Sequence, residues 1–278
     1  MFVAVVNSKG GVGKSTLAVH AAWWLHERGV KLAVVDADAQ ASTSEWLAGA
    51  GVDLRVERCD TLAQLNERIP RLTSAFDLVL ADGPAALSAE TVVLAGAADL
   101  VLMPIGPSMM DIRASYRTAR LLYHVRLRVN QADRPRVVTV LNRVQPRTRL
   151  AQVAAAAVHK YGFPVAATAL NLRQAYAEAC ARKCAVWHLG PAGRAATAEL
   201  DGLFSEVFAR PIDRAVVEAR AVPVQAVLTA RAPSAPFVPA PASGHAPPAS
   251  NRAREPQPSY GPGTVNSQNT LDSSTSRI

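Results

Sequence analysis

The chain has 278 residues, of which 49% are apolar, 19% charged and 5% aromatic. That composition suits a globular chain with room for one large domain or two small ones. Its most apolar stretches are broken by Asp82, Asp99, Pro104 or Pro107 before they reach the roughly 18 to 20 residues of a membrane span, which excludes a transmembrane protein.

The formal net charge of +8 is unevenly spread: residues 1–104 carry −4, residues 105–194 carry +12 and residues 195–278 balance. A segment so one-sided repels itself, which has two explanations. It faces a polyanion for part of its working life, or a GC-rich genome encodes Arg freely, since 25 of the 30 basic residues are Arg. The N-terminus MFVAVVNSKG lacks a basic leader and a small-residue cleavage site. Three cysteines, Cys59, Cys180 and Cys184, are too few and too odd in number for a disulfide framework. Both features predict a cytoplasmic chain.

In chain order, strands are predicted at Phe2 to Asn7, Lys31 to Asp36, Leu54 to Glu57, Leu78 to Asp82, Leu100 to Pro104 and Val137 to Asn142. Most of these runs are continuously apolar rather than alternating, so they are buried on both faces, as in a parallel sheet covered by helices. Helical periodicity fills the intervals at Thr16 to Arg28, Ser42 to Ala50, Leu62 to Ile69, Ala89 to Ala97, Met109 to Arg128 and Arg149 to Tyr161. Leu172 to Lys183 and Ala192 to Phe208 follow. Such alternation predicts a doubly wound α/β fold with a mostly parallel sheet, helices on both faces, and ligands at the carboxyl ends of the strands. Composition changes near Arg210: residues 211–278 hold 11 of the 19 prolines, set among Ala, Ser and Gly. A segment of that kind cannot bury enough apolar surface to offset its chain entropy. The expected organisation is an ordered body at 1–210 and a disordered tail at 211–278, with a short helix in AVVEARAV.

Directly after the first strand comes SKGGVGKST, residues 8–16. Gly10, Gly11 and Gly13, with Val12 among them, let the backbone turn its N–H groups around a phosphate, and the following helix N-terminus adds its positive end. Lys14 is placed to reach the β- and γ-phosphates, and the Ser15 hydroxyl to ligand Mg²⁺, with Thr16 opening the helix. Strand, glycine loop, GKS and helix in that order predict a P-loop NTPase domain, residues 1–210. The second strand ends in VDADAQ, where alternation turns Asp36 and Asp38 the same way beside the loop, suited to Mg²⁺ and an attacking water. The fourth ends in LVLADGP, an apolar run that delivers the single acid Asp82 as a Walker B acid is delivered to the metal. Lys9 lies too early to repeat the work of Lys14 and, on the residues alone, is as readily a solvated surface lysine.

The string KGGVGKST resembles the deviant Walker A box of the ParA and MinD family of ATPases. The resemblance continues in VDADAQ, in ADGP with Gly83 where the family pattern has Pro, in VLMPIGPS followed by Asp111, in Leu141-Asn142-Arg143, and in the LNLRQAY of residues 170–176. It covers residues 2 to about 190. What it implies is ATP with Mg²⁺ as cofactors and slow hydrolysis. It further implies a Lys9 that crosses a dimer interface to the partner's nucleotide, a role for Asp38 beside the attacking water, and Asn142 against adenine.

Within the family, iron-protein relatives hold a cluster on cysteines. Here Cys180, Cys184 and His188 fall on one stripe of a helical pattern, open to a metal reading but expected as a buried helix face. The C-terminus LDSSTSRI lacks the amphipathic basic helix of membrane-targeted relatives, so no membrane partner is expected. Only eight residues precede Lys9, which leaves no place for an N-terminal helix-turn-helix. The expectation is a short ParA-type ATPase, nucleoid-associated in the cytoplasm. It would form a homodimer with ATP, bind DNA nonspecifically, meet a ParB-like cargo adaptor and drive plasmid or chromosome partition. The alternatives are a relative positioning a conjugation or secretion complex, and a nucleotide-gated DNA-coating protein that hydrolyses little. The basic segment supplies Arg113, Arg117 and Arg120 on one helical stripe, Arg143, Arg147 and Arg149 as a second group, and then Arg173, Arg182, Lys183 and Arg194, of which Arg173, Arg182 and Arg194 are the candidate DNA contacts. The Met109 to Arg128 helix is equally readable as a solvated face.

Overall fold

The computed structural model describes residues 1–129 and 134–209; the expected tail and its short helix lie outside the described residues. Six strands, β1 (Phe2–Val5), β2 (Leu32–Asp36), β3 (Arg55–Arg58), β4 (Leu78–Asp82), β5 (Leu100–Ile105) and β6 (Arg136–Leu141), form one sheet in the order β3-β2-β4-β1-β5-β6. Every pairing among them is parallel. Eight helices are described: α1 (Lys14–His26), α2 (Ser42–Gly49), α3 (Leu62–Ala75), α4 (Ala89–Ala97), α5 (Met109–Val129), α6 (Arg149–Val158), α7 (Gln174–Ala181) and α8 (Arg194–Phe208).

The pleat divides each buried strand between two cores. Phe2 and Ala4 of β1 join Val79, Val101 and Val137 under α3 to α6, where Leu65, Val93, Leu122 and Ala154 pack. Val3 and Val5 turn the other way, with Leu80, Leu102 and Val140, against Leu17 of α1, Trp46 of α2, Ala179 of α7 and Phe204 of α8. Burial on both faces is the physical reason for the continuous apolar runs. The crossover that leaves β5 runs to β6 on one side of the sheet, and the one that leaves its neighbour, central β1, runs to β2 on the other. A crevice therefore opens at the carboxyl end of β1, the place where doubly wound sheets bind ligands.

The edge strand β3 departs from the buried pattern. Arg55 and Arg58 are exposed, while Glu57 turns inward and meets Arg55 at 2.8 Å, Arg71 at 2.9 Å and Arg68 at 3.5 Å. Burial alone would raise the Glu57 carboxyl; the hydrogen bond from Arg55 and the neighbouring guanidinium charges outweigh it and hold the carboxyl below its ordinary value. An inward charge on an edge strand also blocks edge-to-edge pairing.

Most helix bounds shift from expectation by a few residues, and at three C-terminal ends the local reason is plain. α3 continues through Pro70 to Ala75, because Leu72 adds to the buried stripe of Leu65 and Ile69 and the Thr73 hydroxyl donates to the Ile69 carbonyl at 2.9 Å. α6 stops at Val158 and tightens into a 3-10 turn at His159–Tyr161, closed by Gly162 at φ 75°. α7 stops at Ala181, and Lys183 takes a φ of 51°. That break corrects the expected buried stripe: Cys180 is exposed, Cys184 is intermediate and His188 lies in the next 3-10 segment, Val186–Gly193. Among the described residues, no group of His, Cys, Asp and Glu could hold a metal in that manner. None of the described helices is long and apolar enough to cross a membrane.

Candidate nucleotide site

The glycine loop runs from the end of β1 to the start of α1. Gly11 has a φ of 75° and Gly13, the N-cap of α1, a φ of 91°, a region L side chains enter only with strain. The loop is also held from outside. Asn142, at the end of β6, donates from Nδ2 to the Val12 carbonyl at 2.7 Å, and Arg143 donates from Nη1 to the Gly11 carbonyl at 2.8 Å. A Cβ on Gly13 would stand 2.2 Å from the Asn142 Nδ2. Gly10 and Gly11 are exposed, Val12 is buried and Lys9 is half-buried.

Lys14 is 6% exposed at the first position of α1. Burial lowers the pKa of its ammonium, while the charges of Asp82 and Asp38 pull the other way. The site therefore holds a nearly dry cation between two carboxylates. Asp36 and Asp82 are register partners at the ends of β2 and β4, and both are buried. Asp36 accepts the backbone N–H of Ser44 at 2.8 Å and that of Asp38 at 3.2 Å, so it caps the start of α2 from the strand end. Asp82 accepts the Thr43 hydroxyl at 2.7 Å on Oδ2, and its Oδ1 is buried without a partner in hydrogen-bond geometry. Burial pushes the Asp82 carboxyl up to about 7; the Ser15 and Thr43 hydroxyls and the Lys14 charge oppose this, and the Asp36 charge adds to it. Ser15 is thus close enough to favour the ionised form without completing the geometry of a bond to Oδ1.

Asp38 arrives by a different route from the one alternation suggests. β2 ends at Asp36, so the pleat does not extend to residue 38; the Asp38 N–H donates to the Asp36 carboxylate at 3.2 Å, a turn closed by the Ala41 N–H on the Asp38 carbonyl follows, and the Asp38 charge is felt at Lys14. Its Oδ1 accepts from Gln40 N–H at 3.0 Å. Beside the loop, a cavity of about 320 Å³ opens between Gly13, Thr16, Asn142, Asn171 and Tyr176, in the size range of small-molecule pockets. Asn142 lines it, with Nδ2 turned to Val12 and Oδ1 accepting Arg143 N–H at 2.9 Å.

Two contacts had no signature in the sequence. Thr43 bonds Asp82 from 39 residues away, and the buried His20 ties the loop helix to the chain at Val186. The candidate DNA arginines separate. Arg173 donates from Nε to Glu199 at 3.0 Å and Arg182 pairs with Glu178 at 2.7 Å, whereas Arg194 is exposed at the start of α8. On α5, Arg113, Arg117 and Arg120 are all exposed.

The chain matches the CobQ/CobB/MinD/ParA nucleotide binding domain over residues 3–186. It is 29% identical over 209 residues to the maintenance of carboxysome distribution protein A of Halothiobacillus neapolitanus, across 74% of this chain and 95% of that protein. It is 30% identical over 125 residues to a ParA protein of Rhizobium radiobacter, across 43% of this chain and 55% of that one. The same fold occurs in the ATP complex of a Cyanothece McdA variant, with a TM-score of 0.61 at 18% identity, over 76% of this chain and 96% of the other. With the family matched across most of its strands and helices, this chain belongs to the CobQ/CobB/MinD/ParA family of nucleotide-binding domains.

Proposed function

We propose that the chain is a Mg²⁺-dependent ATPase that dimerises with ATP, binds DNA nonspecifically and positions a cargo along the nucleoid. The observation that carries the nucleotide reading is the nearly dry Lys14 ammonium set between Asp38 and an Asp82 whose Oδ1 has no bond. A buried carboxylate oxygen without a partner is costly unless a cation meets it. Ser15 and Asp82 fit as holders of Mg²⁺, with Asp36 beside them; each Asp36 oxygen accepts one backbone N–H and keeps a further lone pair. Bound there, Mg²⁺ supplies charge neutralisation for the phosphate oxygens. Lys14 balances the β- and γ-phosphate charge, the N–H groups of residues 10–16 surround the phosphates, and Asp38 orients the attacking water. Asn142 closes the base side, and Lys9 acts on the partner protomer's nucleotide.

Cargo positioning is favoured over partition by the likeness to a carboxysome distribution protein, which spans 95% of that relative, whereas the likeness to ParA spans 55% of it. The ParA likeness keeps plasmid partition as the second reading, and with either cargo a small adaptor protein is the expected partner. ATP hydrolysis and nucleotide-dependent sedimentation test the enzyme: wild type turns over slowly and sediments as a dimer with a nonhydrolysable analogue, and Lys14→Ala does neither. Equal ATP affinity in Lys14→Ala would end the reading. Deletion of the gene separates the cargoes, since plasmid loss without selection marks partition and misplaced protein bodies with stable plasmids mark another cargo.

A further inference from the structure

Asn7 immediately precedes the glycine loop, is fully buried, and uses its whole amide. Nδ2 donates to the Pro104 carbonyl and to the Ser115 hydroxyl, both at 2.8 Å. Oδ1 accepts the backbone N–H of Lys9 at 3.0 Å. Thr118, one turn after Ser115 on the inner face of α5, accepts the Ser8 N–H at 3.0 Å; its own proton goes to the Ser8 hydroxyl at 2.9 Å in preference to Asn7 Oδ1 at 3.4 Å. Ser115 and Thr118 are both fully buried. Apolar side chains would fill those places on a helix face without needing partners, whereas buried hydroxyls are tolerated only where partners exist. Their partners are the two residues that lead into Lys9.

We propose that Asn7, Ser115 and Thr118 are positioning residues for Lys9. Together they fix the direction in which the chain leaves β1, and they tie that direction to the seat of α5 and to Pro104 at the end of β5. Lys14 needs no such device, because it is held by α1 itself. Lys9 stands ahead of the helix, and its backbone N–H is fixed by Asn7. A long side chain that must reach another protomer gains most from a fixed starting point, because an error in backbone direction grows along the chain and pre-organisation lowers the ordering cost of the contact. The inference rests on the proposed action of Lys9 in trans.

The test compares dimerisation with nucleotide binding in full-length protein. Sedimentation velocity with a nonhydrolysable ATP analogue measures the dimer, and a fluorescent analogue at protein concentrations too low for dimers measures monomer affinity. Ser115→Ala with Thr118→Val removes both hydroxyls at nearly constant shape. At two- to tenfold for each lost hydrogen bond, dimerisation is expected to weaken by roughly tenfold or more, with monomer affinity within about twofold of wild type. Thr118→Ser, which keeps the hydroxyl, dimerises as wild type where Thr118→Val does not. If the double variant folds poorly, the Thr118→Val and Thr118→Ser pair alone makes the same comparison. Wild-type dimerisation in Thr118→Val and in the double variant overturns the inference, as does a parallel loss of monomer affinity, which would mean that the hub supports the loop as a whole. A normal dimer in Lys9→Ala instead overturns the reading of Lys9, and the two failures are told apart by that variant.

Discussion

Asp36 and Asp82 stand directly opposite each other at the ends of β2 and β4, yet their carboxylates are held in opposite ways: Asp36 accepts two backbone N–H groups, and Asp82 accepts one hydroxyl and leaves Oδ1 unbonded. The difference assigns them different work. Asp36 builds the turn into α2, and Asp82 carries a burial cost that a cation in the site removes.

Replacing Asp82 by Asn tests that cost. An amide keeps the acceptor for Thr43 and has no charge to bury, so the protein without ligands is expected to melt at the same temperature as wild type or a few degrees higher. The further rise that Mg²⁺ and ATP together give wild type should shrink in Asp82→Asn, because stabilisation by a ligand follows its affinity for the folded state. Thermal melts with and without Mg²⁺ and ATP decide it; an undiminished ligand shift in the variant removes Asp82 from the metal site.

Gly13 and Asn142 form a second testable pair. Alanine at Gly13 must adopt a φ of 91° and must displace the Asn142 Nδ2, which would lie 2.2 Å from its Cβ. Strain of about 1–2 kcal/mol for the left-handed backbone adds to the loss of the Asn142–Val12 bond. Gly13→Ala should therefore destabilise by about 2–3 kcal/mol and abolish ATP binding. In the double variant Gly13→Ala, Asn142→Ala the clash is gone and the strain remains, so the two effects should sum to less than additivity requires. Additive losses in urea unfolding would show that the two residues do not share the contact.

Much of this site was legible because its signals are local. The phosphate loop lies within nine residues, and Asp82 stands at the end of an uninterrupted apolar run, so strand, loop and acid could be placed from neighbours along the chain. What escaped depends on residues brought from a distance. Glu199 neutralises Arg173 across 26 residues, Thr43 meets Asp82 across 39, and Asn7 meets Ser115 across 108. No periodicity marks those partners. The cysteine stripe misled for the opposite reason: its spacing is helical, but the helix ends at Ala181, before the second cysteine. Pro70 likewise reads as a stop, and tertiary burial of Leu72 carries α3 past it.

His20 gives the fold a pH dependence. A carbonyl can only accept, so Nδ1 carries the proton and donates to Thr16 at 2.7 Å, while Nε2 accepts the Val186 N–H at 3.2 Å. The ring is enclosed edge-on by Trp46, Tyr176 and Trp187. A proton on Nε2 would face another N–H inside an apolar cage, and burial lowers the pKa from 6.5 to about 4; the bond to Thr16 opposes this, and the charge of His188 assists it. The unfolded chain therefore binds the proton first, so stability falls as pH drops from about 6.5 toward 4, by about 3 kcal/mol in all. Urea unfolding of wild type and His20→Gln across that interval isolates the contribution. The variant should lose stability at pH 7 and show a shallower fall on acidification, and identical pH slopes would exclude His20 as the source.

DNA binding is where the arginine geometry makes the sharpest distinction. With ATP present, binding to unrelated duplexes should be of similar affinity and should weaken steeply with salt, because each phosphate neutralised releases counterions. Arg194 is exposed at the first position of α8, where a cation meets the positive end of the helix dipole. That placement does not serve stability, so Arg194→Ala should leave the melting temperature unchanged or slightly raised while reducing the salt slope by roughly one for each lost phosphate contact. Arg173 is held by Glu199, which also accepts the Asn171 N–H at 3.1 Å. Its replacement leaves a half-buried carboxylate without its guanidinium, so Arg173→Ala should lower the melting temperature and change the salt slope less. Replacing Arg113, Arg117 and Arg120 together asks whether α5 shares the contact, and a reduced slope would place it on the DNA face. Gel shifts across a salt series with an ATP analogue measure all three, and a flat salt response of wild type would remove nucleic acid as a partner.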